Sequence, residues 1–495
     1  MELIFEKIAN RYHDLQQKPL PKETQTLYTL IFNLLREMII KMDLPENESL
    51  PASRILATEL GVSRSTIIRA YEFLRLEGFV ESKPGSGHII KPRVTKVIGE
   101  KRDLANYPKI SKLGSSFMKN SGLINSTDDK SMGFRPGLPP LDIFPVTQWK
   151  NLSNLYWKNI QLSNLSYSPA SGIDQLKLNL ANYLNLSRNI KCDPDQILIM
   201  SGSLQSLYLV GSSLIDAGDH VVMENPTFPN VHSIFSGLMA NVHGIELDQE
   251  GLNVAQLRNQ HITPKLIHTT PSCHYPSGVK MSLKRRQELL DYASENDALI
   301  IENDYEHEIN NWDNPIAPIF SLDQEERTIY MGTFNRSLHP SLRIGYMVVP
   351  HYLKNVVDAL LKHSHRFVPT SIQVVLNQFI EKKYFYAHIK KVVEVVKKRQ
   401  QFFTEEFNNL FDGTGYTLEP STTLSLQSLV KLPNGLHDKD LVQLLAKHNI
   451  ITHSYSKCFT SKKEDQGLIL GYSSIRTPII KNKLHQMNQI LRKGR

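Results

Sequence analysis

The stretch Leu50–Ile90 reads LPASRILATELGVSRSTIIRAYEFLRLEGFVESKPGSGHII. PASRILATEL and STIIRAYEFLRLEG each place apolar residues at helical spacing, and Gly61-Val62 breaks the chain between them. Ser63 is a good N-cap for the later helix, Ile67, Ala70, Tyr71 and Leu74 form its inner face, and Gly78 suits the residue just past its end. The small Ala57 lets two helices approach, Gly61 permits the turn and Ile67 locks the second helix down, which is the spacing of a helix-turn-helix. Leu27–Lys41 (LYTLIFNLLREMIIK) supplies an earlier amphipathic helix. Downstream, Phe79-Val80-Glu81 and His88-Ile89-Ile90-Lys91 read as short strands around Lys83-Pro84-Gly85-Ser86-Gly87, which makes a wing.

Residues 27–91 as a whole resemble the winged helix-turn-helix of GntR-family bacterial transcription regulators. Carried over by position, the resemblance makes Arg54, Ser63, Arg64 and Thr66 contacts to duplex DNA, with Gly85, Ser86, Gly87 and His88 entering the minor groove. The chemistry agrees: Arg64 at the start of a recognition helix can address a guanine edge bidentately, and Ser63 and Thr66 suit phosphate oxygens. Pro51–Lys96 holds eight Lys or Arg against four Glu, so positive charge is concentrated on this segment. Arg69 and Arg75 read equally well as a solvated helix face.

With 495 residues, 40% of them apolar, the chain is long enough for two or three domains. Cys192, Cys273 and Cys458 fit neither a disulfide framework nor a zinc pattern, and a reducing cytoplasm is the expected compartment. The opening MELIFEKIANRYHDL lacks the apolar stretch of a signal peptide, and no run of about 18 apolar residues occurs, so no membrane association is expected. Formal net charge is +8, which permits an anionic partner without identifying one. Between Lys101 and Arg135, Ser, Asn, Gly and Lys dominate with little periodicity, which reads as a solvated linker. The expected organisation is a winged helix over 24–92, a linker over 93–134 and a large domain over 135–495.

Beyond Gly133, apolar strand runs (QILIM, HVVMEN, KLIHTT, ALIIEND, TIYMGT, RIGYMVV) alternate with helix-period segments, which predicts an α/β domain on a largely parallel sheet. Ser201-Gly202-Ser203-Leu204-Gln205 follows QILIM and opens a helix, so its free backbone N–H groups can cradle a phosphate. The segments YSPASG (167–172), SGSLQSL (201–207), DAGDHVVMENPTF (216–228), TTPSCHYPSG (269–278), IENDYEHE (301–308) and YMGTFNRSLHPSLRIGY (330–346) are similar, in order, to the motifs of fold-type I aminotransferases. They resemble above all the aminotransferase-like domain of MocR-type regulators, in which a GntR winged helix precedes a domain that binds pyridoxal 5′-phosphate.

That resemblance implies a phosphate site of Ser203, Leu204, Thr333 and Arg343, with Phe228 stacking on the ring and Tyr305 bonding its phenolic oxygen. Three motifs depart from it, one of them TPSHQ, which here reads Thr270-Pro271-Ser272-Cys273-His274. The family's GTFSK lysine, which holds the cofactor covalently, is Arg336 here, and a guanidinium is never a free amine. The Asp that pairs with the ring nitrogen is Asn303, a neutral amide that cannot hold that nitrogen protonated as a carboxylate does. Covalent attachment of pyridoxal phosphate is therefore not expected, and the domain reads as a homodimeric sensor of a small anionic or pyridoxal-phosphate-like effector. The alternatives are a working aminotransferase with an appended DNA-binding module, which needs the absent lysine, and a ligand-free dimerisation scaffold. Two arginines converging on one cleft call for an anion or an inward-turned acid such as Asp304 or Glu306. Cys273 and His274, lacking further ligands, read as structural, and no metal is expected.

Overall fold

The computed structural model describes residues 2–16, 26–83, 87–91, 108–124, 133–310, 315–421, 423–460 and 465–493. The chain divides into two compact units, Met1–Pro108 and Lys109–Arg495.

The first unit carries helices α1 (Glu2–Gln16), α2 (Leu27–Ile40), α3 (Ser53–Glu59) and α4 (Arg64–Leu76). Strands β1 (Val80–Lys83) and β2 (Gly87–Ile90) follow, antiparallel in the register Val80↔Ile90 to Lys83↔Gly87. Ser49 bridges to Ile89, adding a third extended segment to the wing. Ile31, Leu35, Leu56, Ile67, Tyr71, Leu74 and Ile90 close one core, and Ile8 and Tyr12 of α1 pack into it as well. The unit thus begins before residue 24, where the sequence reading opened it, because α1 presents a narrow apolar face among charged residues.

Helix α5 (Lys112–Asn120) lies within the stretch read as linker. It packs on the helix Pro229–Gly237: a Cβ on Gly237 would fall 2.5 Å from the Phe117 ring, and the Ser116 hydroxyl donates to the Ser236 carbonyl at 2.9 Å. This segment belongs to the second unit and not to a solvated tether. The helix is amphipathic but only nine residues long and includes Gly and two Ser, so it offers little signal inside a polar stretch, and Phe117 anchors it.

The second unit is built on an eight-stranded sheet of order β3-β10-β9-β8-β7-β4-β5-β6. Its strands are β3 (Ile197–Met200), β4 (His220–Asn225), β5 (Asn241–Asp248), β6 (Gly251–Leu252), β7 (Leu266–Thr269), β8 (Leu299–Asn303), β9 (Thr328–Thr333) and β10 (Gly345–Val348). Strands β5, β4, β7, β8 and β9 pair in parallel, and β10 runs antiparallel to both of its neighbours. Alternate residues serve opposite faces: Ile197, Ile199, Tyr330 and Tyr346 enter one core, Leu198, Met200, Met331 and Met347 the other. Burial on both faces is why these strands read as continuous apolar runs. A smaller antiparallel sheet of β11 (Thr417–Leu418), β12 (Gln427–Lys431), β13 (His453–Ser454) and β14 (Gly467–Gly471) has the order β11-β12-β14-β13. Among the described residues no helix is long and apolar enough to cross a membrane.

Candidate functional site

In the first unit, Ser63 caps α4: its Oγ accepts the Thr66 N–H at 3.2 Å and lies 2.8 Å from the Ser65 and Thr66 hydroxyls. This cap fixes the direction in which the helix start presents Arg64. Arg64 is exposed and touches only Ser53 Oγ among the described residues, through Nε at 3.5 Å, so the fork of its guanidinium is free. Arg54 is exposed, Thr66 is half-buried, and neither arginine has a carboxylate partner among the described residues. Arg69 instead lies 4.2 Å over the Tyr28 ring. On the wing, Gly87 is exposed, while the half-buried His88 packs edge-on against Tyr71 at 5.1 Å with Nδ1 3.1 Å from Ser82 Oγ. Gly85 and Ser86 lie outside the described residues.

In the second unit, the carboxyl ends of the parallel strands form the edge where such sheets bind ligands. Met200, Gly345 and Thr333 are paired in register, so the loop after β3, the turn before β10 and the end of β9 meet. Gly202, at φ +125°, precedes the helix Ser203–Leu214, whose first-turn N–H groups at Ser203 and Leu204 have no acceptor among the described residues. Thr333 is buried and its Oγ1 accepts the Asn335 N–H at 3.2 Å. Arg343, at φ +51°, is exposed and has no ion-pair partner among the described residues. N–H groups at a helix start, a hydroxyl and a guanidinium are the donor types that suit an anion.

The remaining candidates lie on the loop after β4, at the end of β8 and on the segments that follow β8 and β9. Phe228 is partly buried and meets Tyr275 edge-on, with centroids 4.9 Å apart. Asn303 closes β8, with Nδ2 3.2 Å from His268 Nε2 on β7. Tyr305 is buried and its hydroxyl donates to the Cys273 carbonyl at 2.9 Å, so the phenol is already engaged.

Arg336 is half-buried, its guanidinium carbon 5.4 Å from the Tyr305 ring centroid. Gly137, at φ +75°, makes room for it: a Cβ there would lie 1.4 Å from Arg336 Nη1. Of the two nearby acids, Asp304 is committed elsewhere, paired to Arg188 Nη2 at 2.6 Å and accepting from the Tyr330 hydroxyl at 2.8 Å. Glu306 is the acid on the Arg336 side. It is buried, its Oε1 has no partner among the described residues, and burial pushes its carboxyl up to about 7 against the opposing pull of Arg336. Burial likewise pushes the Cys273 thiol up to about 12, and His274 is held by the Pro226 carbonyl and Ser277 hydroxyl, at 2.9 and 2.7 Å. Among the described residues no cluster of His, Cys, Asp or Glu suits a metal.

Sequence reading passed over Gly137 and His268 as site residues. A glycine in RPGLPP or a histidine inside an apolar strand gives no chemical signal until the fold brings it against Arg336 or Asn303.

The fold and this cleft define an aminotransferase-type domain carried behind a winged helix. Residues 136–466 match the model of aminotransferase class I and II, and residues 27–90 match that of bacterial regulatory proteins, gntR family. The chain is 28% identical over 452 residues to the probable rhizopine catabolism regulatory protein MocR of Rhizobium meliloti, covering 91% of this chain and 90% of that protein. It is 25% identical over 462 residues to the pyridoxine biosynthesis transcriptional regulator PdxR of Corynebacterium glutamicum, covering 92% and 93%. Among solved structures, the α-aminoadipate aminotransferase LysN of Thermus thermophilus superposes with a TM-score of 0.69 at 20% identity, covering 76% of this chain and 97% of that one. The chain belongs to the MocR-type transcription regulators, joining a gntR-family helix-turn-helix to a class I and II aminotransferase domain.

Proposed function

We propose that the second unit of this regulator is a sensor that holds a small anionic molecule reversibly and does not turn it over, and that its occupancy sets how the winged helix binds a duplex DNA operator. The observation that carries the reading is Arg336. It occupies the position of the family's covalent anchor, offers no amine, and adds a cation to a cleft that already holds Arg343 and a helix start.

Pyridoxal phosphate belongs to the family's fold, and the donor set fits its phosphate end. Ser203, Leu204, Thr333 and Arg343 would hold the phosphate, Phe228 the ring face and Asn303 the ring nitrogen. When bound to a lysine this cofactor supplies an electron sink for amino-acid chemistry. Here the residues supply positioning: Arg336 contributes charge over Tyr305, and the neutral Asn303 amide offers the ring nitrogen a hydrogen bond without a compensating charge. Glu306, when protonated, leaves the excess of positive charge uncancelled and so favours the anion.

The reading extends to a cytoplasmic homodimer, since paired winged helices suit paired half-sites. Calorimetry with pyridoxal phosphate, and with pyridoxine 5′-phosphate, which has no aldehyde, tests it. Comparable affinity for the two supports reversible capture of the phosphorylated ring. Binding only of the aldehyde, with a spectral shift, would refute it.

A further inference from the structure

An isoleucine carries no hydrogen-bonding group, so on a helix that reads DNA it adds specificity only through the one apolar group on a base edge, the C5 methyl of thymine. Helix α4 holds such a residue. Ile68 is 40% exposed, and it belongs neither to the core of the first unit nor to the partly buried side chains packed against that core. A lone exposed aliphatic residue on a solvated surface needs no explanation. What distinguishes this one is the face of the helix it stands on.

Two sides of α4 are already covered. Ile67, Ala70, Tyr71 and Leu74 are buried in the core. On a second side α2 covers the helix: Phe73 stacks on Tyr28 with ring centroids 5.6 Å apart, Arg69 lies 4.2 Å over the same ring, and Glu77 pairs with Arg36 at 3.3 Å. Arg64 and Ile68, four residues apart, are neighbours on a further face. Arg64 Nε stands 3.5 Å from the hydroxyl of Ser53, the first residue of α3, so this face lies beside the start of α3. Leu76, the other exposed aliphatic residue of α4, lies more than three turns beyond Arg64.

The pair is complementary to a guanine and a nearby thymine. The fork of the Arg64 guanidinium suits the O6 and N7 of guanine, while Ile68 has only carbon to offer, and against any base edge but a thymine methyl it would desolvate polar groups without bonding them. Four residues span about 6 Å of helix axis, less than two base-pair steps of about 3.4 Å, which sets how far apart the two bases lie. The Ser63 cap fixes the start of the helix. A β-branched side chain within a helix keeps to nearly one χ1 rotamer, so Ile68 loses little freedom on contact.

We propose that Ile68 is a specificity-determining residue that packs on the C5 methyl of a thymine within two base pairs of the guanine read by Arg64. The proposal rests on the reading of α4 as the helix that enters the major groove, and adds a base preference that the arginine alone does not give.

The test deletes the methyl from the DNA. An operator is selected from random duplexes with the full chain, and each of its thymines is replaced singly by deoxyuridine, which removes the methyl and leaves the hydrogen-bonding edge unchanged. Anisotropy titration then reads each affinity. The guanine is the one whose replacement weakens wild type but not Arg64→Ala. For wild type, one thymine per half-site, within two base pairs of that guanine, should cost about fourfold when its methyl is removed, the worth of one buried carbon. Ile68→Ala should bind the unmodified operator at least that much more weakly and be indifferent to the same methyl, because both changes remove one contact. Ile68→Val keeps a branched methyl on the helix and should retain part of the sensitivity. Binding to an unrelated duplex should stay within about twofold of wild type in both variants, which shows that the domain is folded. No sensitive thymine near that guanine, full methyl sensitivity in Ile68→Ala, or equal losses on operator and unrelated duplex would overturn the proposal and leave DNA reading by α4 standing. Failure to select any operator, or wild-type affinity in Arg64→Ala, would overturn the reading of α4 and the proposal with it.

Discussion

Gly137→Ala should act on the cleft through Arg336. The added Cβ would lie 1.4 Å from Nη1, 2.4 Å from Cζ and 2.7 Å from Nη2, so the two cannot coexist. The obstacle is the far end of a flexible side chain, and the guanidinium will leave its place over Tyr305 before the backbone moves. Alanine at φ +75° adds about 1–2 kcal/mol of strain, which lowers the melting temperature by a few degrees without unfolding the domain. Loss of one charged contact to a bound phosphorylated ring costs about 1.5–3 kcal/mol, a ten- to hundredfold weaker dissociation constant. The assay is calorimetry with pyridoxine 5′-phosphate on Gly137→Ala, Arg336→Met and the double variant. Since both changes remove the same contact, the double variant should bind no worse than either alone. Wild-type affinity in Gly137→Ala beside weak binding in Arg336→Met would refute the packing argument, and additive losses would show that Gly137 acts by another route.

Other outcomes follow from the same geometry. Arg64→Ala should weaken binding to a selected operator duplex by about 1–3 kcal/mol and lower the slope of log affinity against log salt by about one, read by anisotropy titration. Arg343→Ala should abolish calorimetric binding of pyridoxine 5′-phosphate, whereas Arg336→Lys, which keeps the charge, should retain it. The Glu306 carboxyl is raised from 4.5 to about 7 in the fold, so its contribution is fully present below pH 4.5 and is lost as pH rises toward 7. Glu306→Gln should therefore raise the melting temperature at pH 8 and change it little at pH 4, with a ceiling of about 3 kcal/mol. Sedimentation at micromolar concentration should show a species of twice 56.5 kDa, and a monomer would refute the dimer.

The parts legible in the sequence were those with dense local signals. The winged helix was readable because a cap, a turn glycine and a buried face fall within the few residues from Ala57 to Leu74 and all agree. Six strands, from β3 at one edge across to β4, were readable because burial on both faces makes them largely apolar. Strand β5, NVHGIELD, escaped: it lies next to the sheet edge and mixes exposed, half-buried and buried residues around a glycine. The short strands of the antiparallel sheet, at two to five residues, carry too little pattern to stand out. At the cleft, Asn303 and Arg336 stood out because they interrupt motifs that the chain otherwise resembles. What they do was not, since it depends on partners far away in sequence: Gly137 under Arg336, and His268 beside Asn303.

Reversible capture requires that the cleft hold no covalent anchor, and borohydride reduction with peptide mass spectrometry tests that directly. Wild-type protein incubated with pyridoxal phosphate, reduced, digested and mapped should carry no pyridoxyl group on a cleft lysine, while Arg336→Lys run alongside should gain one at 336. The wild-type lysine to watch is Lys280, whose ammonium is pushed down chiefly by burial and then by Arg286 and Arg188. A stoichiometric pyridoxyl group on Lys280, or on any lysine of the cleft, would contradict reversible capture.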